Sequence, residues 1–231
     1  MNSELLRSDL FLLTLTVGLY CFGGWLYRRT KSPLLHPVLL TFVAVIVFLQ
    51  AAEIDYARYE EATEMLDFAL GLSVVSLGYL LYEQVERLRR SLLPVAVATL
   101  AGCFAGVTSV VYIAMAFGAE RQLLTSLAPK SVTVPIAVSV AEPLGGVVSV
   151  TSVVVFCVGI FGSVCGEWIL RRCGVRNPEA RGFALGAAAH GIGTARAIET
   201  GAVEGALSGL AMALMGLATA LLLPLMERYL Y

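Results

Sequence analysis

Ala188-Ala189-His190-Gly191-Ile192-Gly193-Thr194-Ala195-Arg196-Ala197 is the stretch on which the reading of this chain turns. It sets two glycines, an imidazole, a hydroxyl and a guanidinium inside sequence that otherwise reads as lipid-embedded helix. An arginine at membrane depth costs about 2.5–3.5 kcal/mol or more unless it is paired or lines a wet cavity. Backbone that leaves the helix at that depth is tolerated only inside protein or beside water. The two glycines are expected to break the helix here, and the stability given up by this decapeptide points to function.

The surroundings are those of a membrane sequence. Of 231 residues 58% are hydrophobic and 14% charged, and the mean hydropathy is +0.82. Soluble domains carry about 25% charged residues, so the composition is that of an all-α, polytopic integral membrane protein. A formal net charge of −1 gives no basic surface for nucleic acid. The cysteines Cys21, Cys103, Cys157, Cys165 and Cys173 show no metal-ligand spacing and read as small residues buried between helices. The first apolar run comes after Glu4 and Asp9 and has no basic n-region, so it reads as a retained helix rather than a cleaved signal.

Charge-free runs at 10–27, 33–52, 92–119, 143–166 and 205–226 are long enough, or nearly so, to cross a bilayer, and the shorter run 68–82, which extends to Leu66, is a sixth candidate. Runs 131–141 and 182–195 are too short and suit re-entrant or broken helices. About six full spans plus two such segments result. Basic residues come after the first span (Arg28, Arg29, Lys31) and the third (Arg87, Arg89, Arg90), while 53–64 is mostly acidic with Arg58 opposing it. The positive-inside rule then puts the N-terminus outside and both basic loops in the cytoplasm. The next cluster, Arg171, Arg172, Arg176 and Arg181, returns to the cytoplasm only if 121–142 enters and leaves on one face. The charge rule therefore favours a re-entrant hairpin there.

A shift of about sixty residues uncovers weak self-similarity of the kind found in repeat-built carriers. Ala128-Pro129-Lys130-Ser131-Val132-Thr133-Val134-Pro135-Ile136-Ala137 falls over the opening decapeptide, with Lys130 on His190. Gly102-Cys103-Phe104-Ala105-Gly106-Val107 likewise resembles Gly159-Ile160-Phe161-Gly162-Ser163-Val164. One transmembrane domain over 1–231 is expected: N-terminal helices in 1–91, one repeat unit in 92–146, an inverted second unit in 147–203, and a last helix in 204–231.

Two broken helices entering from opposite faces would aim their half-helix N-termini at a common point. Lys130, His190 and Arg196 could add positive charge there, and Ser131, Thr133 and Thr194 hydroxyls, while Gly191 and Gly193 leave backbone accessible. That inventory suits a small hydroxy- or oxo-carboxylate, with Arg196 or Lys130 on the carboxylate and the hydroxyls on the 2-oxygen. Each residue also has a plainer reading. Arg196 can snorkel or pair with Glu199, Lys130 can cap a helix end at the interface, and His190 can be a satisfied helix contact. Gly201, Gly205 and Gly209, like Gly102 and Gly106, read as small-xxx-small packing faces. Glu142 and Glu167 flank membrane runs, as interfacial residues or as proton-coupling carboxylates. No Ser/His/Asp set, HExxH or phosphate loop suggests an enzyme, and no cofactor is implied.

Pro33-Leu34-Leu35-His36-Pro37-Val38-Leu39-Leu40, the Pro129–Ala137 block, the block from Ala189 to Ala197 and Gly205-Ala206-Leu207-Ser208-Gly209-Leu210-Ala211-Met212 resemble the signature blocks of the LrgB/CidB family. The resemblance covers nearly the whole chain. It implies a multi-pass protein of the bacterial cytoplasmic (inner) membrane, often paired with a small holin-like LrgA/CidA-type membrane protein and linked to murein hydrolase control and autolysis. A plastid relative carries glycolate and glycerate, and bacterial relatives have been associated with pyruvate. The resemblance thus implies a secondary carrier or facilitator for small 2-hydroxy or 2-oxo monocarboxylates (glycolate, glycerate, pyruvate, lactate). The alternative is a non-transporting accessory of the holin-like partner. A homo-oligomer is compatible with either. Two positions depart from the family pattern: His36 stands where Asn is usual, and Gly71-Leu72-Ser73-Val74-Val75-Ser76-Leu77-Gly78 lacks the usual proline.

Overall fold

The computed structural model describes residues 5–30, 35, 37–66, 68–69, 72, 79, 82 and 92–230. His36, most of the 71–78 block, most of the 66–82 run and the basic residues Lys31, Arg87, Arg89 and Arg90 lie outside the described residues. The described chain is helical, and four of its helices are long and apolar enough to cross a membrane. It is a polytopic membrane protein. The chain divides into two units, 1–72 and 73–231.

In the first unit, α1 (Asp9–Thr30) packs on α2 (Pro37–Ala51) and on the short α3 (Tyr56–Ala62). The run 33–52 thus yields only 15 helical residues. Leu12, Val45, Leu49, Ile54 and Ala62 form a small core. The helices approach closely where Gly23 meets Pro37, since a Cβ there would lie 3.0 Å from the proline Cα. Arg58, alone among the acids of its segment, pairs with Asp9 and Glu61.

In the second unit two long helices are each followed by a shorter, interrupted stretch. α4 (Leu92–Ala116) is a 25-residue helix with two short ones after it, α5 (Arg121–Leu127) and α6 (Val134–Ala141). α7 (Val148–Arg172) is again 25 residues long and leads into the interrupted α8 (Pro178–Thr200). The last helix, α9 (Ala202–Leu230), is enclosed over most of its length, while α4 and α7 keep most of theirs facing outward.

α9 measures the whole unit. Glu204 near its start and Glu227 near its end are 23 positions apart, roughly 34 Å at helical rise and about one hydrocarbon thickness. Arg121, opening α5, pairs with Glu227 at 2.9 Å. The Ser126 hydroxyl accepts the Val147 N–H at 2.8 Å. Both ends of the 121–147 segment therefore sit near the Glu227 end, and the segment is a re-entrant hairpin. At the opposite end, Arg181 reaches Glu204 at 3.4 Å and Glu167 at 3.6 Å, while Arg196 reaches the same Glu167 at 3.4 Å. In a straight helix Arg181 and Arg196 would stand about 22 Å apart along the axis. α8 instead folds back on itself, so that a Cβ at Gly193 would lie 2.6 Å from the Leu185 carbonyl oxygen. α8 is the second re-entrant hairpin, opening at the Glu204 end.

Accordingly α4 and α7 run in opposite senses, and their hairpins return to opposite ends of α9: an inverted repeat. Pro94 and Val95, at the start of α4, share a cavity with Asn177 and Glu179 at the Glu204 end. The start of α4 and the 171–181 arginines thus lie at one end, the arrangement the charge rule favours.

Three local expectations need correction. α7 begins at Val148 rather than Pro143, because Glu142–Leu144 forms a 3-10 turn closed by Gly145 at φ 87°. The second break falls at Ala189 (φ −128°, ψ 16°) and His190 (φ 42°, ψ −134°), whereas Gly191 and Gly193 are helical. These glycines are needed for clearance between the arms, not for bending. Finally, only Cys103 is buried; Cys21, Cys157 and Cys173 are exposed and Cys165 is intermediate, because those stretches of α1 and α7 face outward.

Candidate functional site

The first hairpin breaks at 128–133, between α5 and α6. Pro129 is fully buried there, and the Lys130 ammonium donates to the Ser131 hydroxyl at 2.9 Å. Among the described residues no carboxylate pairs with Lys130. Ser131 rests against α4, 3.8 Å from where a Cβ on Gly106 would stand. Thr133 takes the N-cap position of α6 without capping it, and its hydroxyl is buried with no partner. Pro135 comes next inside the first turn and supplies no N–H. The tip therefore presents a cation, two hydroxyls and the positive end of a half-helix.

The second tip is locked rather than open. His190 is 4% exposed, and its Nε2–H donates to the Val155 carbonyl of α7 at 2.9 Å. Its positive φ is rare outside glycine and costs on the order of 1–3 kcal/mol, so the surrounding packing must impose it. That packing is a glycine face on α7. A Cβ at Gly159 would lie 2.7 Å from His190 Cε1, one at Gly162 would strike the Ala189 side chain, and one at Gly166 would lie 2.7 Å from Leu185 Cδ2. On the other side, Gly182 and Gly186 press the first arm onto the α9 backbone at Glu204 and Ser208. The spacings Gly162/Gly166 and Gly182/Gly186 are small-xxx-small patterns that a reading focused on Gly201, Gly205 and Gly209 passes over. Of that latter set, Gly205 packs on Ile198, whereas Gly209 has nothing within 4 Å.

The remaining predicted residues point elsewhere. Thr194 shares a 2.9 Å hydrogen bond with Ser208 of α9. Gly191 faces Met212. Arg196 lies at the base of the hairpin, bonded to Glu199 at 2.9 Å and to Glu167. Glu167 also takes Arg171 at 2.5 Å and Arg181 at 3.6 Å, so one carboxylate draws on three guanidinium groups. Sequence reading reached Glu167 only as a flanking residue, because its partners are 4, 14 and 29 positions away and converge only once α8 folds back.

Lys130 and the second tip do meet, in a cavity of about 570 Å³. Its walls are α7 from Cys157 to Leu170 and the first arm of α8 from Ala184 to Ala189, together with Lys130. Lys130 is the one charged residue in that lining. Ser131, Thr133, His190, Thr194 and Arg196 are not part of it. Chemically the cavity offers one ammonium at the end of an apolar trough.

Comparison with known proteins agrees with this architecture. The chain matches the LrgB-like family over residues 16–229. It is 35% identical to the uncharacterized protein YxaC of Bacillus subtilis over 205 residues, 89% of each chain. It is 30% identical to an uncharacterized protein of Haemophilus influenzae, covering 96% of this chain and 97% of the relative. The holin-like protein CidB of Staphylococcus epidermidis is 29% identical, with 97% of both chains covered. No solved structure matches it. The match over residues 16–229 and the relative 35% identical over 89% of each chain lead to one conclusion: this chain belongs to the LrgB-like family.

Proposed function

We propose that the chain is a secondary carrier or facilitator of small 2-hydroxy or 2-oxo monocarboxylates across a bacterial cytoplasmic membrane, without enzymatic activity or cofactor. The observation that carries this reading is Lys130, a cation without a carboxylate, in a cavity shared by two oppositely directed hairpin tips. A cation held at membrane depth is costly and marks a solute path by default. Opposed broken helices meeting near the midplane are the usual frame of alternating access. Lys130 takes the carboxylate, and Ser131, outside the cavity lining but bonded to the Lys130 ammonium at 2.9 Å, orients that ammonium. Arg196, engaged by two carboxylates, is assigned to holding the hairpin base.

Purified protein in proteoliposomes should take up labelled glycolate, glycerate, pyruvate or lactate saturably. Lys130→Gln should cut that flux about a hundredfold, the scale of losing a charge-assisted bond to the substrate, while the protein still melts cooperatively. No saturable flux for any of these acids, with or without a small holin-like partner protein, overturns the carrier.

A second reading draws on the relatives named holin-like protein CidB in Staphylococcus. In it the chain is a non-transporting accessory that modulates an LrgA/CidA-type partner and hence murein hydrolase activity. Autolysis that responds equally to the unaltered chain and to the Lys130→Gln variant supports this reading over the first.

A further inference from the structure

The cavity is a poor match for a small polyhydroxy acid. Apart from Lys130, its walls are carbon-rich: Val158, Phe161, Ile169, Leu170 and Leu185. At about 570 Å³ it lies within the range of sites for ligands well above three carbons in size. Ile169 and Leu170, two and three positions past Glu167, line the same cavity as Ala188 and Ala189 of the hairpin tip. We infer that the preferred occupants are monocarboxylates with an apolar body, such as 2-oxo acids carrying a propyl- to isobutyl-sized chain, their carboxylate on Lys130 and their chain along α7. This rests on the carrier reading and narrows its substrate class.

Charge balance and solvation set the preference. A single ammonium balances one carboxylate. A second carboxylate, as in a dicarboxylic acid, would be desolvated against the buried Leu185 with no partner. Hydroxyls on the substrate chain would meet the same walls and lose their water hydrogen bonds without replacement. Each methylene laid on those walls instead removes apolar surface from water, which strengthens binding about fourfold.

The test is competition against labelled pyruvate uptake in proteoliposomes of defined phospholipid. Potency should rise about three- to fourfold per added methylene from pyruvate through 2-oxobutyrate to 2-oxoisocaproate. Glycerate should compete more weakly than pyruvate, and 2-oxoglutarate hardly at all. Saturable pyruvate uptake with a flat or reversed series overturns this inference and leaves the carrier standing. Absence of saturable uptake for every acid removes the carrier reading, and the inference falls with it. Ala188→Phe and Ala184→Leu fill the trough from α8, and each should cost 2-oxoisocaproate about tenfold more than pyruvate, the scale of overpacking by a few methylenes. Equal losses for both acids in both variants overturn the inference. A long-chain fatty acid that raises the melting temperature in detergent, where 2-oxoisocaproate does not, assigns the trough to lipid and also overturns it.

Discussion

The two hairpins share a plan and differ in where they keep their charge. The first leaves a cation at its tip, beside two hydroxyls, and fixes its base with the single Arg121–Glu227 pair. The second has no cation at its tip. Its tip is a strained histidine bound to α7, and its base gathers Arg171, Arg181 and Arg196 on Glu167. Charge is thereby divided between the repeats: one tip carries a cation that no described carboxylate balances, and the other is bonded into the helix packed against it. Inverted repeats need not be chemically equivalent to be geometrically matched.

The contrast breaks most readily at the glycines of the second hairpin. Gly186→Leu puts carbon where the Ser208 backbone already stands, its Cβ within 2.7 Å of the Ser208 Cα. It should cost roughly 3 kcal/mol or prevent folding, read as loss of cooperative melting in detergent. Next come the two bases. Glu167→Gln leaves Arg171 without a carboxylate and Arg181 and Arg196 with one each, Glu204 and Glu199, and should cost about 2 kcal/mol, less than the full penalty for a buried ion pair because those second partners remain. Glu227→Gln strands only Arg121, whose side chain is 68% exposed, and should cost under about 1 kcal/mol. Equal melting shifts for the two would erase the claimed asymmetry. At the second tip, both His190→Ala and His190→Gly lose the bond to Val155, but only glycine relieves the positive φ. His190→Gly should therefore be the more stable by about 1 kcal/mol, reversing the usual preference of helices for alanine. The smallest effect belongs to the first tip. Lys130→Met removes a cation that no carboxylate balances, and its melting temperature should equal or exceed that of the unaltered chain. A clear fall would place Lys130 among the structural residues.

Much of the architecture is legible in the residue order because lipid imposes simple rules. The charge-free runs at 92–119 and 205–226 become α4 and α9 with small shifts at their ends. The basic residues at 171–181 favour a hairpin over 121–142, and the structure has one over 121–147. The sites of the breaks are less legible. Glycine at 191 and 193 suggested a bend, yet the chain bends one residue earlier, at His190. Local propensity marks glycine as a helix breaker, but tight packing of two arms uses it as a helix residue. The candidate site divided for a similar reason. Lys130 and Ser131 lie on the segment that turns, so their spacing alone places them at a tip. Thr194 and Arg196 lie on an outgoing arm, and the partners they face, Ser208 and Glu167, depend on a fold-back that no spacing within the decapeptide encodes.

The two acidic residues of α9, 23 positions apart, are clasped by arginines from opposite hairpins, so one rod sets the depth of both tips. A bilayer thicker or thinner than that rod must tilt it or deform around it. Because both hairpins are clasped to that rod, a tilt carries the two tips together, so acyl-chain length in the host membrane sets their common depth rather than the space between them.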